Sequence, residues 1–200
     1  MSWIKIIDYK KSSGKLKKLY DRVKGPNNSI DEVLSIHSLR PHTLEGHMAL
    51  YKSVLHHNSN SMPKWYLELL GTYVSELNHC SYCVAHHSVG LKKGLDNDKK
   101  YQLIIKALTS GHFDNILNEK QIEGVRYAKN LTLNHSNIRK EDIQKLRSKG
   151  FSDGEVLEVN QVVCYFNYVN RMVIGLGVSL EKNNIGLTPK IGESDDWSHQ

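Results

Sequence analysis

The chain has 200 residues, 39% of them apolar and 24% charged, with three cysteines and a formal charge of +6. That length supports one domain with a sizeable core; no apolar run approaches the roughly 20 residues of a membrane span, and Met1-Ser2-Trp3-Ile4-Lys5 lacks the pattern of a signal peptide. Three cysteines are too few for a secreted disulfide framework, and the modest positive charge comes without a nucleic-acid-binding motif, so a cytoplasmic protein is expected, with no nucleic-acid and no membrane partner.

Prolines are rare and apolar residues recur at spacings of three and four, which predicts an all-α chain. Lys10, Lys11, Lys15, Lys17 and Lys18 read as a solvated helix face. Leu16, Leu19, Tyr20 and Val23 mark a first helix, ended by Gly25-Pro26. Ile30, Val33, Leu34 and Ile36 mark a second, stopped before Pro41, and Leu44, Met48, Tyr51, Val54 and Leu55 a third. The run 58–61 is a loop, and Pro63 suits the first turn of a fourth helix over 64–77. A short turn at Asn78-His79 precedes a helix from Cys80 to Lys93, with Gly94 as its stop. Further helices are expected near 98–110, 119–132 and 139–149, and a last one, capped by Asp153, from about 154 to 180. One domain over 1–182 is followed by a polar tail, 183–200, in which Trp197 is a possible docking residue.

Cys80-Ser81-Tyr82-Cys83-Val84-Ala85-His86-His87 carries the chemistry. Residues three and four apart are neighbours on a helix surface, so Cys83 can meet Cys80 on one side and His86 or His87 on the other. If 64–77 and 80–93 form an antiparallel hairpin, Glu68 and His87 stand at similar heights above the turn, at about 1.5 Å per residue. The result is a carboxylate, an imidazole and a thiol in sequence, a base oriented by a third group. A helix N-terminus favours the thiolate, which can attack the O–O bond of a peroxide; the sulfenic acid then condenses with the second cysteine to a disulfide.

Glu68, Cys80-x-x-Cys83 and His87 resemble the signature of the alkylhydroperoxidase D-like proteins of the carboxymuconolactone decarboxylase superfamily, most closely the peroxidase-related branch. His37-Ser38-Leu39-Arg40-Pro41, Gly150-Phe151-Ser152-Asp153 and Tyr165-Phe166-Asn167-Tyr168-Val169-Asn170-Arg171 extend the resemblance over roughly 25–180. It implies an alkylhydroperoxidase D-like helical bundle with the Cys-x-x-Cys motif on a helix hairpin, assembled as a homo-trimer or hexamer. It also implies a thiol peroxidase in antioxidant defence, regenerated by a dithiol reductant such as a lipoylated or thioredoxin-like protein. By position, Cys83 is the attacking thiol, Cys80 the resolving one, and His87 with Glu68 the proton relay. The founding peroxidases place a histidine between the cysteines where this chain has Tyr82, so Tyr82 or His86 is a candidate for the missing relay member. No metal, flavin or haem is implied, and no cofactor.

Other readings compete. The same fold can serve as a general dithiol–disulfide oxidoreductase or redox sensor. A decarboxylase of the superfamily is disfavoured, because those enzymes do not use the cysteine pair. A structural zinc module would need four ligands, and Cys164, amid Val162, Val163, Tyr165 and Phe166, reads as a buried small hydrophobe. His79 is expected to cap the turn, and His37, His42, His47, His56 and His57 to be surface or packing residues. Asn167, Asn170 and Arg171 are expected to hydrogen-bond loop ends or neighbouring subunits. Trp65, Tyr73 and Tyr82 are candidate walls of the site.

Overall fold

The computed structural model describes residues 2–182 and 185–187. Among them are nine α-helices and no strand: α1 Gly14–Val23, α2 Glu32–Ser35, α3 Pro41–Leu55, α4 Lys64–Leu77, α5 Ser81–Leu95, α6 Asp98–Ser110, α7 Glu119–Leu133, α8 Lys140–Ser148 and α9 Asp153–Gly175. The expected all-helical architecture is what the chain adopts. None of these helices is long and apolar enough to cross a membrane.

Helix α4 is the hub. Every residue from Tyr66 to Ser75 is buried, so all of its faces are covered rather than one stripe. It forms an antiparallel hairpin with α5 and packs against α3, α6, α7 and α9. Phe166 of α9 lies so close to Gly71 that any β-carbon there would overlap its ring. Pro63 precedes the helix as its N-cap residue.

The predicted elements exist, but several ends differ. Helix α5 does not stop at Gly94; it runs on to Leu95, and Asp96 takes the left-handed conformation at φ 47°. Gly94 serves packing instead, since a β-carbon there would stand 3.2 Å from that of Trp65 on α4. Helix α9 ends at Gly175 rather than near 180. Gly177 (φ 60°) closes it, with Gly177 N–H on Ile174 O at 3.1 Å and Val178 N–H on Val173 O at 3.0 Å. That is the paired bonding of a left-handed helix stop, and the apolar residues beyond it had extended the pattern falsely. Its cap is Ser152, not Asp153: Ser152 Oγ accepts the Glu155 N–H, and the Glu155 carboxylate accepts the Ser152 N–H. The second predicted helix shrinks to the single turn α2.

Cys164 is exposed, contrary to the expected burial. Val162, Val163, Phe166, Val169 and Asn170 take the inward stripe of α9, and at about 100° per residue Cys164 falls outside it. Trp197 lies outside the described residues.

Candidate active site

The turn between α4 and α5 places the sulfurs. His79 is left-handed at φ 56°. Its N–H reaches Glu76 O at 3.0 Å, and Cys80 N–H reaches Ser75 O at 2.9 Å, the same helix stop built on a histidine instead of a glycine. Cys80 is thereby the N-cap of α5, and Cys83 lies one turn in. Both thiols are free, only 1% and 3% exposed, with Sγ atoms 3.1 Å apart.

Helix α9 fixes that turn. Asn78 Nδ2 donates to Asn170 Oδ1 at 3.0 Å and to Asn167 Oδ1 at 3.1 Å. Asn170 Nδ2 donates to Ser75 Oγ at 3.0 Å, and Arg171 to Asn167 Oδ1 at 2.8 Å. The expected hydrogen bonding to a loop end is therefore present for Asn167 and Asn170, whereas Arg171 bonds Asn167 within its own helix. Asn170 does more, because its amide also bears on both sulfurs and favours their anions.

The two thiols are unequal. The hydrogen bond with the Cys83 thiol holds the Cys80 thiol below its ordinary range; burial opposes this, while the N–H groups of Cys83 and Tyr82 and the Asn170 amide reinforce it. Cys83, which faces the Cys80 sulfur and is itself buried, is pushed well up. Of the two, Cys80 is the thiol whose anion the surroundings favour. Access runs the other way: Cys83 lines a cavity of about 40 Å³ and Cys80 does not. One water needs about 10–15 Å³ of such space, so the cavity suits a small molecule.

His86, His87 and Tyr82 share that cavity with Cys83, and Tyr51 and Tyr165 close another side. His87 Nδ1 meets Glu68 Oε2 at 2.8 Å. Donation from Nδ1–H to the carboxylate leaves Nε2 as the basic nitrogen. Glu68 is fully buried, and a β-carbon on Gly90 would stand 2.7 Å from its Oε1, so the carboxylate occupies room that a glycine leaves. Oε1 has no hydrogen-bond partner among the described residues. No hydrogen bond joins Cys83 to His87 among them; the two groups face one cavity.

Tyr82 and His86 belong to a second array that the sequence reading missed. Glu181 Oε1 accepts from the Tyr82 hydroxyl at 2.7 Å and from Glu32 N–H at 2.6 Å, and Oε2 from His86 Nε2 at 2.8 Å. Burial pushes the Glu181 carboxyl up, but these donors outweigh it and hold the carboxyl at about 2. Val33 N–H donates to the Tyr82 oxygen at 3.2 Å, so the hydroxyl proton is committed to Glu181. Nothing in the sequence marked Glu181, which lies beyond a helix end and 95 residues from His86.

Further out, Tyr51 and Tyr165 stack at 5.7 Å, and Tyr165 Oη lies 3.4 Å from His47 Nε2. Burial keeps both phenols protonated, far above the ordinary range. Trp65 and Tyr73 do not line the cavity; they pack edge-on against Tyr66 and Phe113. His37 and His56 are buried packing residues and His42 is exposed, but His47, expected to be a surface or packing residue, is buried and lines the cavity with Cys83 and His87. Among the described residues no three His, Cys, Asp or Glu side chains converge to hold a metal ion.

No protein-family model matches the chain, and no curated protein is significantly similar to it in sequence. Solved structures do match. An alkylhydroperoxidase D core described as a peroxidase-related protein, from Ralstonia eutropha JMP134, superposes with TM-score 0.75 at 16% identity, over 90% of this chain and 93% of that one. A peroxidase-related protein from Silicibacter sp. TM1040 gives 0.68 at 24% identity, over 78% and 79%. A cysteine-to-alanine variant of a debrominase, in complex with 2,3,4-tribromopyrrole, gives 0.66 at 14% identity, over 84% and 82%. At such identities the likeness is one of fold.

Proposed function

We propose that this chain, which has the alkylhydroperoxidase D-like fold, is a thiol peroxidase that reduces hydrogen peroxide or a small organic hydroperoxide through a Cys80–Cys83 dithiol–disulfide cycle. One observation carries the reading. A thiol pair that is nearly inaccessible meets a cavity of about 40 Å³, and an imidazole held by a buried carboxylate stands on the cavity wall.

Peroxide enters beside Cys83. His87 takes the thiol proton at Nε2, directly or through water, while Glu68 holds Nδ1–H. The Cys83 thiolate attacks one peroxide oxygen and the O–O bond breaks. The departing alkoxide or hydroxide takes the proton back as alcohol or water, leaving a sulfenic acid on Cys83. Cys80, whose anion the surroundings favour, attacks that sulfur; the S–S bond forms and hydroxide leaves, taking a proton to become water. Two electrons have passed from the dithiol to the peroxide. An external dithiol returns two electrons and two protons, which goes with a reducing, cytoplasmic setting. Burial of the pair favours a reductant whose dithiol sits on a slender arm, as a lipoyl group does.

A protein disulfide is too large to reach sulfurs this buried, which weighs against general disulfide exchange. Tribromopyrrole, the ligand of the debrominase neighbour, is larger than this cavity. The test is a thiol titration of reduced protein before and after one equivalent of hydroperoxide. Wild type should lose two thiols, Cys83→Ser none, and Cys80→Ser should stall as a sulfenic acid. Retention of both thiols by wild type sinks the peroxidase reading.

A further inference from the structure

We propose that Glu181 and Gly186 anchor the chain against α5 as a strap that sets Leu187 on the wall of the Cys83 cavity and so limits the size of the oxidant, with Leu187 the specificity-determining side chain and Glu181 the positioning residue that holds the strap. This rests on the peroxidase reading for its substrate class, but not for its geometry.

Two points fasten the strap to α5, the helix that carries Cys83. The first is Glu181, whose side chain is 15% exposed and which takes donors from Tyr82, His86 and the Glu32 backbone. The second is Gly186. Its N–H donates to His86 Nδ1 at 3.3 Å. A bond accepted at Nδ1 and another donated from Nε2–H to Glu181 define one neutral tautomer of His86, so a single imidazole bolts both ends. Gly186 adopts φ 74°, and a β-carbon on it would overlap Val89 and stand 3.0 Å from His86 O. Only glycine allows so close an approach to α5. The following residue, Leu187, is thereby set on the cavity wall with Cys83 and His87.

The chemistry of the strap is steric. The cavity is small, about 40 Å³, so an aromatic hydroperoxide should enter it less readily than hydrogen peroxide. Shortening Leu187 removes wall without touching the sulfurs or the His87–Glu68 pair. Glu181→Gln leaves one acceptor oxygen for three donors, and so loosens the bolt while keeping the side-chain shape.

The experiment compares kcat/KM for cumene hydroperoxide and hydrogen peroxide in wild type, Leu187→Ala and Glu181→Gln. In parallel, the rates at which N-phenylmaleimide and iodoacetamide alkylate Cys83 are read by mass spectrometry. Both large-to-small ratios should rise at least about tenfold in Leu187→Ala, the scale by which a few methylene groups discriminate in a closed pocket, and should also rise in Glu181→Gln. Wild-type ratios in both variants overturn the strap. Should no variant consume peroxide, the peroxidase reading fails, and the alkylation ratio alone still decides for or against the strap. A merely structural role for Glu181 would lower all rates together and leave the ratios in place.

Discussion

Glu68 is a carboxylate without solvent, with one oxygen bonded to His87 and the other facing Gly90. Such a group is retained only where its partner and its packing hold it. His87→Ala should slow peroxide-driven loss of thiols by about 10²–10³-fold, the range expected for a general acid–base group. Glu68→Gln should cost less, because a glutamine oxygen still accepts the Nδ1–H; stopped-flow tryptophan or thiol signals measure both. The pair was legible in the sequence, because both residues sit on adjacent helices at similar heights above one turn. Glu181 was not, since no periodicity links it to His86. Acid sensitivity follows from two buried groups. His37 Nδ1 lies 2.8 Å from Thr43 Oγ1, whose own proton goes to Arg40 O, so Nδ1 donates and Nε2 stays bare. Burial lowers His37 from 6.5 to about 4. The unfolded chain binds a proton in that window that the folded chain refuses, so stability falls as pH drops from 6.5 to 4, by at most about 3 kcal/mol. Glu181, depressed from 4.5 to about 2, contributes stability that is complete above 4.5 and is lost as pH falls through 2. Urea midpoints against pH should flatten in the upper window for His37→Gln and in the lower one for Glu181→Gln.

Helix ends, more than helix faces, decide where the site residues stand. The stop after α4 is built on His79 at φ 56°, a conformation that costs a residue with a β-carbon roughly 1–2 kcal/mol, against a smaller entropic cost for glycine. His79→Gly should therefore leave the unfolding free energy unchanged or raise it by up to about 1 kcal/mol, read from denaturant melts. Gly71→Ala should do the opposite, costing about 1–3 kcal/mol, because its β-carbon overlaps Phe166. Phe166 stands edge-on to His87 at 4.5 Å, so this variant should also slow peroxide reduction. These glycines explain why the sequence located helices better than their ends. Gly94 looked like a stop and serves as a packing gap, whereas Gly177 is the real stop of α9, hidden by apolar residues after it. A glycine symbol carries both meanings, and only the neighbouring helix distinguishes them.

At the scale of the molecule, the cavity draws its residues from distant parts of one chain: α2 and its N-cap Asp31, α3, α5, α9 and Leu187 of the strap. The described wall of the cavity comes from one chain, and the homo-oligomer that the family resemblance implies is sought on the surface. One surface fits that purpose. A groove of about 450 Å³ runs between the N-terminal arm, the turns after α2 and the end of α9, lined by Ile4, Ile36, Leu39, Tyr168, Met172 and Leu176, with His37, Arg40 and Thr43 among them. Beside it Trp3 is 79% exposed, and Leu39 and Tyr168 are exposed as well. Apolar side chains in such a contiguous patch are costly in water and mark contact sites. Sedimentation equilibrium on wild type should give a mass that is a multiple of the single chain. Leu39→Glu together with Tyr168→Glu puts charge into the patch, and should shift the mass toward one chain while peroxide still removes two thiols. A wild type that sediments as a single chain at micromolar concentration would rule out the oligomer.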